Sequence, residues 1–294
     1  MDSQFQAVLI SLIPLLSFGI SNGLMKKAAI NIGSQMMIFY RQIIVIVFLI
    51  LTSFLVIEDI NLDPKYIVLG IIFAAFSYFG LYFFSRGAEE GDVGIVAPIS
   101  SGRIIISTFI GVLFLNDSMT LLQFIAIGVI FLGVVLVAID FDKLRTNSLD
   151  LKSGVGYALL AALFWGVFLP LFGIPASEIG PFFFSIMLES VVFISNFLFM
   201  IIQKKNADFK ISDFKENALG LILIAVFSAL ASLFTNIGYS KGEETIVSAV
   251  SGASPLVTVV FGWIFYKERL KPIHYAAAVL IVVGIIALPI FRSK

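Results

Sequence analysis

Ten blocks of about 20 predominantly apolar residues run along this chain, and they constrain its fold more than any other feature. An α-helix of about 20 residues crosses the ~30 Å hydrocarbon core of a bilayer and satisfies its own backbone hydrogen bonds there. The alternating pattern of a membrane β-barrel is absent. The sequence therefore predicts an all-α integral membrane protein with ten transmembrane helices. The blocks cover residues 5–25, 35–57, 65–86, 93–115, 120–140, 153–173, 181–203, 217–239, 246–266 and 272–291.

Composition excludes several classes of function. Apolar residues make up 60% of the chain and charged residues 13%, against about 45–50% and about 25% in soluble domains, so a soluble enzyme is excluded. The net charge of zero gives no reason to expect a nucleic-acid partner. There is no Cys, and His274 is the single His. We therefore predict no catalytic residues and no metal site, and an intramembrane enzyme is a distant alternative.

The two halves of the chain resemble each other. At an offset of 151 residues, glycines, serines and phenylalanines coincide, and the offset falls to 147 or 148 earlier in each half. The sequence predicts two five-helix repeats, residues 1–145 and 146–294. An odd number of helices turns the second repeat upside down, as in many secondary transporters. The coinciding pairs include Phe76/Phe227, Ser77/Ser228, Gly87/Gly238, Gly91/Gly242, Ser100/Ser251, Gly111/Gly262, Phe114/Phe265 and Gly133/Gly284.

Several segments carry a family resemblance. The first, second and sixth blocks contain "SFGISNGLMKK", "MIFYRQ" and "ALFWGVF", and two glycine-rich segments end in "GVLFLND" and "GWIFYKERL". These resemble the EamA family of the drug/metabolite transporter superfamily, over essentially the whole chain. The resemblance implies a ten-helix, cofactor-free carrier of small metabolites. The chain departs from the pattern at Asn116-Asp117, where Gly-Glu is usual, at Phe18, where Trp is usual, and at Arg103.

Three charged residues lie deep in predicted spans: Arg41, Arg103 and Glu189. A charge near the bilayer centre costs at least about 2.5–3.5 kcal/mol, so it normally faces a partner or a water-filled cavity. Arg41 and Glu189 occupy equivalent positions of the two halves. Two interpretations stay open for them, a structural ion pair or a protonatable Glu189 that couples transport to protons.

Arg103 is the leading candidate for substrate contact, because its planar guanidinium can bind a carboxylate or phosphate. The alternative is an arginine that snorkels or pairs with a helix-end carbonyl. Its counterpart Ser254 precedes Pro255, which removes a backbone donor and bends a helix. The other substrate-binding candidates are polar or aromatic residues within the spans, where Trp165 fits a stacking wall or plain packing equally well. They are Asn22, Tyr78, Ser101, Trp165, Asn236 and Ser254.

The sequence favours a secondary transporter that works by alternating access on a small polar metabolite, most simply an amino acid or related organic acid, with export as one direction. A multidrug efflux carrier is the alternative, and a membrane channel or scaffold is a distant one. The expected partners are a small-molecule substrate and the lipid bilayer, with proton coupling as one driving force. We expect the protein to be a monomer or a weak oligomer.

Basic residues in the connections predict an orientation in the cell membrane. Loops 1–2, 3–4, 5–6, 7–8 and 9–10 carry thirteen Lys and Arg, whereas the termini and the other loops carry four. Cytoplasmic loops of membrane proteins are the basic ones. The count therefore favours both termini outside, while the habit of the resembled family favours cytoplasmic termini, and we follow the count.

Overall fold

The computed structural model describes residues 3–55, 58–91, 93–138, 154–203, 211–241, 243–266 and 272–291. Within these ranges every regular element is helical. The α-helices are α1 (Ser3–Ile32), α2 (Ser34–Ser53), α3 (Pro64–Glu90), α4 (Val93–Ser100), α5 (Arg103–Phe114), α6 (Leu121–Ala138), α7 (Val155–Phe168), α8 (Gly173–Ile179), α9 (Pro181–Ile202), α10 (Ile211–Tyr239), α11 (Glu244–Gly252), α12 (Pro255–Tyr266) and α13 (Pro272–Ile290).

Nine helical stretches among the described residues are long and apolar enough to cross a membrane. The remaining predicted span, 120–140, which is the fifth in chain order, forms a shorter apolar helix over Leu121–Val137. The expected all-helical, multi-pass fold is confirmed at this level. Several helices run past the predicted blocks: α1 continues to Ile32, and the stretch that begins at Val155 reaches Ile179. Most of the basic residues behind the predicted orientation fall in 139–153, 204–210 and 267–271, outside the described residues.

Two predicted spans are each broken near the middle, at equivalent places. The span 93–115 divides between α4 and α5 after Ser100, and the span 246–266 divides between α11 and α12 before Pro255. Pro255 has no N–H to continue a helix. In the first break, the hydroxyls of Ser100 and Ser101 both donate to the carbonyl of Ala97, at 2.8 and 3.1 Å, in competition with the helical backbone. Arg103 and Ser254 lie directly beside the two breaks.

Equivalent helices of the two halves pack against each other in opposite directions. At the start of α6, the Gln123 amide donates to the carbonyl of Leu288 near the end of α13, at 3.0 Å. At the start of α2, the carbonyl of Gln35 accepts from the Asn196 amide near the end of α9, at 3.1 Å. The α6/α13 and α2/α9 pairs are therefore antiparallel.

The half-helices α5 and α11, which belong to the equivalent spans 93–115 and 246–266, also run in opposite directions. Arg103, at the start of α5, donates to Ser251 near the end of α11 over 3.4 Å. Asp117, just beyond the end of α5, accepts from the backbone N–H of Thr245 at the start of α11 over 2.9 Å. Three pairs of equivalent spans thus contact each other in an antiparallel arrangement.

Contacts between the halves also come in reciprocal pairs. The Ser107 hydroxyl donates to the carbonyl of Gly166 at 3.2 Å, and its counterpart Thr258 donates to the carbonyl of Gly19 at 3.0 Å. Likewise, a Cβ on Gly133 would lie 2.6 Å from Ile281, and a Cβ on Gly284 would lie 2.6 Å from Ile130. Reciprocal contacts of this kind are the signature of a two-fold axis. The two halves are therefore related by pseudo-two-fold symmetry.

Carboxylates that are distant in the sequence cap three helix N-termini. Glu89 accepts from the backbone N–H of Ser34 at 3.0 Å, and Glu58 accepts from those of Phe182 and Phe183 at 3.0 and 2.9 Å. Asp117 does the same for α11. The first N–H groups of a helix lack partners within it, and the helix dipole favours negative charge there. These three caps join the helix ends across the bundle.

Candidate functional site

A central cavity lies where the two halves meet. It holds about 960 Å³ of empty space, part of it open to the outside. Its wall combines residues of α1, α2, α3, α7, α9 and α10 with those beside the two helix breaks. Eight of the nine residues singled out in the sequence line it, namely Asn22, Arg41, Ser101, Arg103, Trp165, Glu189, Asn236 and Ser254.

Tyr78 is the exception. It is 1% exposed and does not line the cavity. Its hydroxyl donates to the Asn196 side chain at 3.2 Å, and its ring packs among Phe79, Tyr82 and Phe199. One residue is about 100° around a helix, so Ser77 faces the cavity from α3 while Tyr78 faces α9. Tyr78 thus lies behind the cavity wall in this structure, and its contact with substrate stays a prediction.

The cavity wall is built from matched positions of the two halves. Residues that occupy equivalent places in the repeats face the same space, although their chemistry often differs. A site on the pseudo-two-fold axis is the arrangement that inverted-repeat transporters use. The matched pairs include Phe18/Trp165, Asn22/Leu169, Arg41/Glu189, Ser77/Ser228 and Arg103/Ser254.

A hydrogen-bonded chain links two of the buried charges. The Arg41 Nε donates to the Ser228 hydroxyl at 3.0 Å, and Arg41 Nη1 donates to Gln42 Oε1. The Gln42 amide then donates to the Glu189 carboxylate at 2.6 Å. Ser228 also bonds the Ser21 hydroxyl at 2.8 Å. A direct Arg41–Glu189 ion pair within 4.0 Å is not found, so the open interpretation of a simple ion pair is replaced by a bridged one.

Arg103 has no carboxylate within 4.0 Å among the described residues. Its side chain is 6% exposed, donates to the Ser251 hydroxyl over 3.4 Å, and lies within electrostatic reach of the Tyr239 hydroxyl. Tyr239 in turn bonds Ser248 at 2.9 Å. The cavity wall therefore carries two arginines and one glutamate, a net charge of +1 in the described part of the chain.

Sequence reasoning overlooked some of the polar wall. Ser77 and Ser228 coincide at the repeat offset and both line the cavity. Ser232, one helical turn beyond Ser228 on α10, lines it too. Gln42 does not line the cavity, but it bridges two charged residues that do. The Asn236 amide on α10 donates to Ser185 at 2.9 Å.

Metal chemistry gains no support from the described residues, where no group of three or more His, Asp or Glu side chains could hold an ion.

Comparisons with known proteins agree with the repeat. The sequence profile of the EamA-like transporter family matches residues 5–139 and again 152–288. An uncharacterized protein of Methanocaldococcus jannaschii is 34% identical over 132 residues, which are 45% of this chain and 93% of that protein. A chain of known crystal structure has the same fold, with a TM-score of 0.74 over 97% of this chain and 96% of that one, at 12% identity.

Proposed function

This chain belongs to the EamA-like transporter family, and on that premise we propose that it is a secondary carrier of a small organic acid or amino acid. The family places it among multi-pass membrane transporters of the drug/metabolite type. Such proteins lie in a lipid bilayer and take small molecules as substrates. The substrate class and the alternating-access mechanism go beyond the family, and the cavity supports them.

We propose an architecture of ten spans in two inverted five-helix repeats, residues 1–145 and 146–294. The antiparallel α2/α9 and α6/α13 pairs support it, as does the antiparallel contact of α5 with α11 between the equivalent spans 93–115 and 246–266. Equivalent spans run in opposite directions only when one repeat is inverted. A site between inverted repeats can open to either side in turn. The proposed mechanism is therefore alternating access through the central cavity.

The observation that carries the substrate class is Arg103. A buried guanidinium costs several kcal/mol unless it is paired, and this one faces the cavity without a carboxylate partner among the described residues. A solute carboxylate would supply the missing charge through paired N–H donors. The net positive wall also disfavours the cationic compounds of a multidrug efflux carrier.

Counterflow into proteoliposomes tests this function. We expect labelled amino acids or organic acids to exchange against the same solute inside, and Arg103→Ala to lower exchange by at least about tenfold. Arg86→Ala is the matched control, because Arg86 forms its ion pairs with Glu89 and Glu90 outside the cavity. Exchange of organic cations alone would favour the efflux alternative, and uptake without trans stimulation would favour a channel.

Arg103→Ala in a binding assay offers a second test. Full affinity of this variant for every anionic ligand would overturn the role of Arg103.

We further propose that Glu189 takes up a proton during transport and that Arg41 tunes it. Both face the cavity and share the Gln42 bridge.

For orientation, the basic loops support termini outside the cell membrane. A reporter fused after Lys294 tests this: an active cytoplasmic reporter there would contradict the count.

A further inference from the structure

Two hydroxyl groups in the cavity wall have no hydrogen-bond partner among the described residues. Ser232 and Thr235, both on α10, line the cavity and are 9% and 5% exposed. Neither oxygen has a partner in the described part of the chain. A buried serine or threonine in a helix normally donates to the carbonyl one turn back, as Thr108 does to Ile104 at 2.8 Å. An unsatisfied buried hydroxyl is costly, so this pair calls for an explanation.

Helix packing does not require hydroxyls here. At the repeat offset of 151, Ser232 corresponds to Leu81 and Thr235 to Phe84, which line the same cavity from α3. The equivalent wall of the first half is thus built from apolar side chains. The hydroxyl groups are therefore found only on the α10 side of this pair of equivalent walls.

The two hydroxyls lie between the two buried arginines. Ser228 lies one helical turn before Ser232 on α10 and accepts from Arg41 at 3.0 Å. Tyr239 lies one helical turn after Thr235 and faces Arg103. By helix geometry, Thr235 is about 6 Å along the axis from Tyr239. Thr235 and Arg103 line the same cavity, so a solute whose carboxylate rests on Arg103 has Thr235 in the wall beside it.

We infer that Ser232 and Thr235 form a hydrogen-bonding subsite for a hydroxyl group of the transported solute. The inference rests on the proposed function and narrows its substrate class to hydroxylated carboxylic acids and hydroxy amino acids. A site with buried polar groups rejects a ligand that leaves them unpaired far more strongly than an apolar pocket rejects an extra methylene.

Matched ligand pairs test the subsite. Binding to the purified full chain is measured by titration calorimetry for L-threonine against L-valine and for L-malate against succinate, since each pair differs chiefly by the hydroxyl. We expect the hydroxylated member to bind at least about tenfold more tightly. The Ser232→Ala/Thr235→Val variant is expected to bring that ratio close to one. The control variant Ser190→Ala/Thr52→Val makes the same changes where the hydroxyls already bond their own helix and is expected to keep it.

The outcomes separate this inference from the function it rests on. Equal affinities within both pairs, or an unchanged ratio in the cavity variant, would overturn the subsite. A cavity variant that only unfolds at a different temperature, with its ratio intact, would mean that bound water satisfies the hydroxyls and would also overturn it. If Arg103→Ala leaves every affinity unchanged, the anion site of the proposed function fails instead, while the hydroxyl ratio still reports on Ser232 and Thr235.

Discussion

Arg41 and Glu189 face one cavity from equivalent positions of the two repeats, and the side chain of Gln42 bridges them. Gln42 accepts from one charged group and donates to the other, so it sets the distance between them. The opposite charges are linked, yet each keeps hydrogen-bonding capacity for a solute or a proton.

Loss of the bridge should destabilise the protein. In Gln42→Leu, the arginine and the carboxylate each lose a buried partner, which costs about 1–3 kcal/mol. We expect a lower unfolding temperature in detergent, whereas Gln203→Leu, at an exposed glutamine after α9, should leave it unchanged. An unfolding temperature equal to that of the wild type in Gln42→Leu would show that the bridge is not formed.

Glu189→Gln should make transport insensitive to pH. The amide keeps the shape of the carboxylate but cannot take up a proton, so exchange driven by a pH gradient should disappear while exchange at equal pH persists. Glu178→Gln, at an exposed acid, is the matched control. Normal transport with an unaltered pH profile in Glu189→Gln would end the coupling proposal.

The close helix contacts predict a contrast between glycines. A Cβ on Gly166 would lie 2.6 Å from Ile106, and one on its counterpart Gly19 would overlap Val257, whereas a Cβ on Gly128 meets nothing within 4 Å. Gly166→Ala and Gly19→Ala should each lower stability by about 1–3 kcal/mol through overpacking. Gly128→Ala should be neutral or stabilising, because alanine favours the helix. Thermal unfolding of the three variants checks this, and equal effects would contradict the packing.

Removal of the Asp117 cap should weaken the start of α11. Asp117→Ala leaves the Thr245 N–H without its acceptor, which costs about 0.5–2 kcal/mol. Asp117→Asn keeps an oxygen in place and should lose less. Thermal unfolding measures both, and equal losses in the two variants would show that charge rather than the hydrogen bond matters at this position.

Introduced cysteines can test the antiparallel packing of α2 and α9, since the chain has no Cys of its own. Gln35→Cys with Asn196→Cys should be joined by a short bifunctional maleimide, because Asn196 bonds the Gln35 backbone. Gln35→Cys with Phe182→Cys places the second thiol at the opposite end of α9 and should not react. With a protease site inserted in 139–153, crosslinked halves stay together on a denaturing gel. The reverse result would mean parallel helices.

The spans and the repeat were predictable because both are one-dimensional signals. Long apolar runs reveal membrane helices, and Gly133 and Gly284 coincide in sequence because both meet an isoleucine at close range. Arg103, Arg41 and Glu189 stood out since charges are rare in spans. Eight of nine singled-out residues do line the cavity.

The remaining features depend on rotation and on partners in space. Tyr78 and Ser77 differ by one position, and only the rotation of α3 decides which one faces the cavity. Gln42 gave no signal because its role comes from Glu189, far along the chain. The short fifth span likewise depends on where its helix ends, which apolar composition does not mark.

The opposite charges of Arg41 and Glu189 also bear on the history of the chain. In a symmetric pair of identical single-repeat subunits, each charge at this position would face its own copy, and like charges would repel in a medium of low dielectric constant. An arginine in one repeat and a glutamate at the same position of the other require two repeats that are encoded separately. Fusion of the repeats therefore let each wall of the cavity change alone, and specificity could evolve one side at a time.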